Sequence, residues 1–301
     1  MDRAALARWR KAGEYHDWRG HRIFLRRGGC SDKGAPRLLL IHGFPTAGFD
    51  WARVWPTLAG EFRLLAPDML GFGLSAKPRR YRYSLFEQAD LMEDLVTAVG
   101  WADGLPVHLF AHDYGDTVAQ ELLMRAQEGR LGFALASTVF LNGGMFFSAI
   151  HLSAMQKRLR DREGRILQYL ITRRRFRRSF AAIFGARHRP SRDELDAFFD
   201  LVTANGGRGV LHALSQYLRE REAHEERWSR AVAGAGVPIG LIYGPEDPIS
   251  GESIARRFHE LNPRAPVLRL EGVGHYPQVE APEDVARFFL ALHRCWKTGV
   301  G

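Results

Sequence analysis

Val107-His108-Leu109-Phe110-Ala111-His112-Asp113-Tyr114-Gly115 is the stretch on which the reading of this chain turns. Its first five residues form a short, largely apolar run that suits a buried parallel strand. Gly115–Ala126 reads as a helix. Almost nothing separates the two, so the chain must turn sharply with Asp113 at the apex. Such a turn needs small neighbours two positions either side, and Ala111 and Gly115 supply them. A strand, a tight turn and a helix presenting one reactive side chain is the geometry of a nucleophile elbow. The serine usual at that apex is here an aspartate, and no G-x-S-x-G occurs elsewhere in the chain.

Outward from the elbow the same alternation continues. His21–Arg26, Arg37–His42 and Phe62–Pro67 read as strands before it, and Ser137–Leu141, Pro238–Tyr243 and Ala265–Leu270 after it. Ser84–Val99 reads as a helix with Ser84 as its N-cap and Glu87 three positions on. Ser253–Leu261 and Pro282–His293 are helical too. Strands alternating with helices predict an α/β fold: a mostly parallel sheet with helices on both faces. Residues 146–231 break the pattern, being Arg-rich, helical in periodicity and free of a convincing strand. Inserted after the sixth core strand, they would lie over the C-terminal edge of the sheet, where open α/β sheets bind ligands. The expected organisation is a core built from residues 1–145 and 232–301, with a helical cap at 146–231.

The bulk properties narrow the function. With 301 residues, 46% hydrophobic and 26% charged, the chain has the composition of an ordinary globular protein. Two cysteines exclude a disulfide scaffold, and neither has metal-ligand spacing. No metal and no cofactor is expected: there is no Walker motif, no H-E-x-x-H and no dinucleotide loop. Met1–Arg10 has three arginines and no apolar run, so it does not read as a secretory leader, and the expected location is cytoplasmic. The net charge of +9 is concentrated. Lys157–Arg192 holds thirteen Lys or Arg against Asp161 and Glu163 alone. A solvated helical face accounts for this run, and an anionic membrane surface is the alternative partner. No motif points to nucleic acid, and the oligomeric state is not legible.

Two further pieces fall in the chain order of hydrolase triads, nucleophile then acid then histidine. Tyr243-Gly244-Pro245-Glu246-Asp247-Pro248 follows one strand and offers Asp247. Gly272-Val273-Gly274-His275-Tyr276-Pro277 follows the last strand and offers His275. Singly, each is ordinary turn or cap chemistry. Together, after successive core strands, they form a constellation.

With His42-Gly43-Phe44-Pro45 and Asp68-Met69-Leu70-Gly71-Phe72-Gly73-Leu74-Ser75, these motifs resemble the α/β-hydrolase superfamily, in its epoxide hydrolase and haloalkane dehalogenase branch. Asp113-Tyr114-Gly115-Asp116-Thr117-Val118-Ala119-Gln120-Glu121 and Asn142-Gly143-Gly144 are similar to the mesoderm-specific transcript subfamily. The resemblance implies Asp113 as nucleophile, His275 oriented by Asp247 as base, and the N–H groups of Phe44 and Tyr114 as an oxyanion hole. A carboxylate displaces well at an sp³ carbon, so epoxides and alkyl halides are the expected apolar substrates. Epoxide opening needs an acid beside the departing oxygen, and the cap tyrosines Tyr217 and Tyr169 are the candidates. Dehalogenation would want an indole or amide donor, yet Tyr114 follows the nucleophile and position 44 is Phe. Epoxide hydrolysis is therefore favoured over a haloalkane, ester or lactone reaction. A non-catalytic lipid-surface or protein-binding role is the rival outside enzymology. Asp116 departs from the small residue usual three positions after the nucleophile. It reads either as a carboxylate favoured by the helix dipole or as a second charge that would weaken Asp113.

Overall fold

Four apolar residues in a row, Leu38 to Ile41, require that both faces of their strand be covered, because strand side chains alternate between faces. The computed structural model describes residues 1–298 and meets that requirement. Leu38 and Leu40 enter one core with Trp55, Phe62, Phe110 and Phe289. Leu39 and Ile41 enter the other with Leu91, Leu95, Leu122 and Trp228.

Eight strands make one sheet: β1 (Glu14–Trp18), β2 (His21–Gly29), β3 (Arg37–Ile41), β4 (Arg63–Pro67), β5 (Val107–His112), β6 (Leu135–Leu141), β7 (Ile239–Tyr243) and β8 (Val267–Arg269). Their order is β1-β2-β4-β3-β5-β6-β7-β8. The β1–β2 and β2–β4 pairs are antiparallel and the remainder parallel. This is the α/β-hydrolase arrangement. From β3 the chain passes first to β4 on one side and then to β5 on the other. The switch point therefore lies between the C-terminal ends of β3 and β5, where ligands of such sheets bind.

The first strand is one that sequence periodicity does not reveal. Glu14-Tyr15-His16-Asp17-Trp18 is an edge strand with only Trp18 buried, so it carries no apolar alternation. A tight turn at Arg19-Gly20, both with positive φ, returns the chain into β2.

Between β6 and β7 every regular element among the described residues is helical. The inserted segment has an aromatic core of its own, Phe176, Phe180, Phe184, Phe198 and Phe199, packed on Tyr276. Its last helix, Glu225–Ala233, runs through the boundary expected after residue 231. Trp228, Ala231 and Val232 on that helix belong to the main core. The helix at Leu85–Ala98 starts at Ser84 as expected, with Ser84 Oγ accepting the Phe86 N–H at 3.2 Å. Glu87 does not close a capping box, because its carboxylate accepts from the Tyr81 hydroxyl. Glu220 of the inserted segment takes that place, accepting the Leu85 N–H and the Ser84 hydroxyl, each at 2.6 Å. No described helix is long and apolar enough to cross a membrane.

Candidate active site

The end of β5 delivers Asp113 into a backbone conformation that L-residues rarely adopt, φ 50° and ψ −104°. Such a residue costs about 1–3 kcal/mol and persists only where its surroundings hold it. Here the Asp113 N–H donates to the Leu141 carbonyl at 3.2 Å. The Asp113 carbonyl accepts from the Asp116 N–H at 3.2 Å and from the Arg221 guanidinium at 3.3 Å. Gly115 permits the turn: a Cβ there would stand 2.5 Å from the Ile41 carbonyl oxygen. The Asp113 side chain does not cap its own helix. Instead its Oδ2 accepts the Phe44 N–H at 3.0 Å. Tyr114 is the first helical residue, so its N–H has no acceptor within the helix. Of the two expected oxyanion donors, the Phe44 N–H thus meets the carboxylate directly, and the Tyr114 N–H is left without a helical partner.

The loop that carries Phe44 is fixed by His42. Burial lowers this imidazole to about 4, so it is neutral. Its Nδ1–H donates to the Gly43 carbonyl at 2.9 Å, and its Nε2 accepts the Met69 N–H at 3.0 Å. Neutral His112, driven well down by burial, donates from Nε2 to the His275 carbonyl at 2.8 Å and holds that loop in turn.

His275 Nδ1 lies 2.8 Å from Asp247 Oδ2. The same oxygen accepts Asn142 Nδ2 at 2.9 Å and the Ser250 hydroxyl at 2.7 Å, while Oδ1 accepts the Ile249 N–H at 2.8 Å. Burial would raise Asp247, but the His275 charge and these donors outweigh it and hold the carboxyl below its ordinary value. Burial would likewise lower His275. Asp247, by charge and hydrogen bond, and then the charges of Asp113 and Glu280 carry it up to about 9. Asn142 and Ser250 are site residues that the sequence reading missed. Asn142 appears there only inside a matched motif, with no signal that its amide would bridge two loops.

Asp113 and His275 both face one apolar cavity of about 450 Å³, walled by Phe44, Leu159, Phe176, Phe180, Val202 and Leu211. Tyr217 does not line the cavity but is buried directly behind Phe44 of its wall, its ring 5.6 Å from Phe44 and 4.9 Å from Tyr114. Burial and then the Asp113 charge push its hydroxyl well up, so it stays protonated. Tyr169 is not brought to the site. It is 54% exposed and does not line the cavity. In the turn Gln168–Leu170, it is Gln168 that faces inward, donating to the Arg165 carbonyl and accepting the His212 N–H.

Asp116 is fully buried. Its Oδ1 accepts the Leu141 N–H at 3.4 Å, and Oδ2 has no partner. Burial, then the neighbouring Asp113 charge, raises it far above the carboxylate range. Both causes disfavour the ionised form, against the dipole-stabilised carboxylate and the competing charge that its position predicts. Arg221, also buried, donates to Thr117 Oγ1 at 3.0 Å behind the elbow and stacks 4.8 Å over the Tyr217 ring. Nothing in the local sequence distinguishes it from the other arginines. Among the described residues no cluster of His, Cys, Asp and Glu is arranged to hold a metal ion.

Residues 38–288 match the Alpha/beta hydrolase family. The chain is 39% identical over 294 residues to the LipZ protein of Mycobacterium tuberculosis, covering 97% of this chain and 99% of that one. It is 37% identical over 287 residues to the mesoderm-specific transcript protein of Mus musculus, covering 92% and 84%. The crystal structure of haloalkane dehalogenase DbeA from Bradyrhizobium elkanii superposes with a TM-score of 0.79 at 22% identity, covering 95% of this chain and 99% of that one.

Proposed function

The chain belongs to the alpha/beta hydrolase family, and on that premise we propose that it hydrolyses an apolar epoxide through a covalent ester of Asp113. The observation that carries this reading is the disposition of the Asp113 carboxylate. One oxygen is held by the Phe44 N–H, and the side chain shares an apolar cavity with His275, itself anchored on Asp247.

The chemistry follows from that arrangement. The free Oδ1 attacks an epoxide carbon, the carbon–oxygen bond of the ring breaks, and the released alkoxide takes the hydroxyl proton of Tyr217. Tyr217 recovers its proton from solvent. Oδ2, now the ester carbonyl oxygen, already sits against the Phe44 N–H. His275 then removes a proton from a water that attacks the Asp113 Cγ, and negative charge collects on Oδ2 beside the Phe44 and Tyr114 N–H groups. Collapse breaks the Cγ–Oδ1 bond, returns that proton to the departing alkoxide and frees a diol. The second proton of the water then leaves the Asp113 carboxyl for solvent, which balances the one taken up by Tyr217 and regenerates the carboxylate. A base held at about 9 is protonated at neutral pH. Ester formation removes the Asp113 charge, one of the attractions keeping that proton, so the first step readies the base for the second.

Epoxides are preferred to halides because no tryptophan lines the cavity, and its one side-chain amide, Gln156, stands at the start of a cap helix where its Oε1 closes a capping box with Ser153. Trp228 spends its indole N–H on Glu121 at 3.1 Å. The helices spanning 146–231 act in this reading as a cap that excludes water.

The test is a His275→Gln variant exposed to matched epoxide, haloalkane and ester panels, followed by mass spectrometry of its peptides. An epoxide should leave its full mass on the peptide containing Asp113, and not when Asp113→Asn is added. A haloalkane leaving its alkyl group there while epoxides leave nothing would move the assignment to dehalogenation. Ester turnover that survives Asp113→Asn, without any adduct, would overturn the aspartate mechanism. Inertness to all three panels would favour a binding role.

A further inference from the structure

Six large apolar side chains stand exposed among the described residues, and four of them, Met155, Ile166, Tyr169 and Leu170, fall within sixteen positions of the inserted segment. Scattered exposed apolar residues are ordinary, but a cluster is not. Met155 and Leu170 line the cavity while standing 45% and 50% exposed, so they mark its mouth. Ile166, at 71% exposure, lies three and four positions before Tyr169 and Leu170 along two successive helical turns, which places the three on neighbouring positions of one side.

The charge around this mouth is unbalanced. Arg173 and Arg177 are engaged by Asp196 and Asp200, and Arg187 by Asp284. In contrast, Lys157, Arg158, Arg162, Arg165, Arg175 and Arg178 are all exposed, and none has a carboxylate within 4.0 Å among the described residues. Arg158, Arg175 and Arg178 line the cavity as well. Free cations, protruding apolar side chains and the opening of an apolar cavity therefore coincide on one surface.

We infer that this surface docks on an anionic lipid bilayer, with the arginines against the head groups and Ile166, Tyr169, Met155 and Leu170 entering the head-group boundary. A nucleic acid would satisfy the arginines alone and leave the aliphatic side chains in water. A bilayer satisfies both, as interfacial helices do by combining apolar insertion with attraction to anionic lipid. Docked in this way, the cavity opens toward the membrane, and an apolar substrate dissolved in it reaches Asp113 without crossing water. Tyr169, read from sequence as a substrate acid, becomes a surface anchor.

The experiment is flotation of the full chain with vesicles of phosphatidylglycerol and phosphatidylcholine, against phosphatidylcholine alone, at low and physiological salt. The protein should float with the anionic vesicles only, and salt should weaken binding without abolishing it. Ile166→Ser/Tyr169→Ser should lower the partition coefficient roughly tenfold. Leu105→Ser, equally exposed at the opposite end of β5, should leave it unchanged. Absence of flotation overturns the inference. So does flotation that physiological salt removes entirely and that the Ile166/Tyr169 pair does not affect, because that is charge attraction alone. Asp113→Asn should float like the parent, so this result stands or falls apart from the reaction.

Discussion

Replacing Asp247 with Asn is the sharpest probe of the electrostatics. Asp247 Oδ2 accepts from His275, Asn142 and Ser250, and Oδ1 from the Ile249 N–H. An amide oxygen can serve one of these two sets, but its NH₂ then faces the other, so at least one buried donor loses its acceptor. The charge also goes, and burial then governs His275. Its pKa should fall from about 9 to below the ordinary value of 6.5. At about 1.4 kcal/mol for each tenfold change, the difference is about 3 kcal/mol of preference for the imidazolium, or roughly 300-fold in a step that generates it. The signs are opposite for the two partners. A histidine held above its unfolded value stabilises the fold fully below pH 6.5, and that contribution disappears as pH rises through about 9. Asp247, held below its unfolded value of 3.8, contributes above that pH and loses its contribution as pH falls. The stability gap between parent and variant should therefore be widest between about pH 4 and 6.5 and should narrow toward pH 10. Urea unfolding at several pH values measures the gap, and ¹⁵N NMR of the ring follows His275 directly. A parent His275 that titrates near 6.5, or a gap that is flat with pH, would refute the reasoning.

Two further substitutions test the scaffold. Gly115→Ala places a methyl group 2.5 Å from the Ile41 carbonyl and 2.7 Å from that of His42. Both are backbone atoms of a central strand and its exit, so the cost should be about 3 kcal/mol in chemical denaturation; a loss below about 1 kcal/mol would mean that the elbow helix can lift off β3. Asp116→Asn removes a carboxyl whose ionised form burial already disfavours and leaves an amide oxygen that can still accept from the Leu141 N–H. Stability should change by less than about 1 kcal/mol and turnover by less than threefold, whereas a loss near a hundredfold would show that Asp116 acts as an anion.

How far the sequence reaches is clear from particular residues. Leu38–Ile41 and Val107–Ala111 announce buried strands because burial on two faces leaves an uninterrupted apolar run. Asp113, Asp247 and His275 are legible because each follows a strand, and parallel strands deliver their ends to one edge. β1 escapes notice because an edge strand needs no apolar alternation. Tyr169 and Tyr217 look alike in sequence, yet one faces solvent and the other the elbow, since short irregular helices give no stable periodicity from which to read a face. Asp116, Asn142 and Arg221 owe their roles to neighbours 25 to 108 positions away, and no local pattern encodes such distances.

Two adjacent residues of the insert tie it to the core. Glu220 closes the amino end of the Leu85–Ala98 helix, and Arg221 reaches the Asp113 carbonyl. A chain excised of its insert would leave the Leu85 N–H without its acceptor and the Asp113 carbonyl of the elbow with only one of its two donors. The roof and the floor of this pocket are not interchangeable parts, and grafting the insert of a relative onto this sheet would have to carry that Glu-Arg pair with it to keep Asp113 in its strained pose.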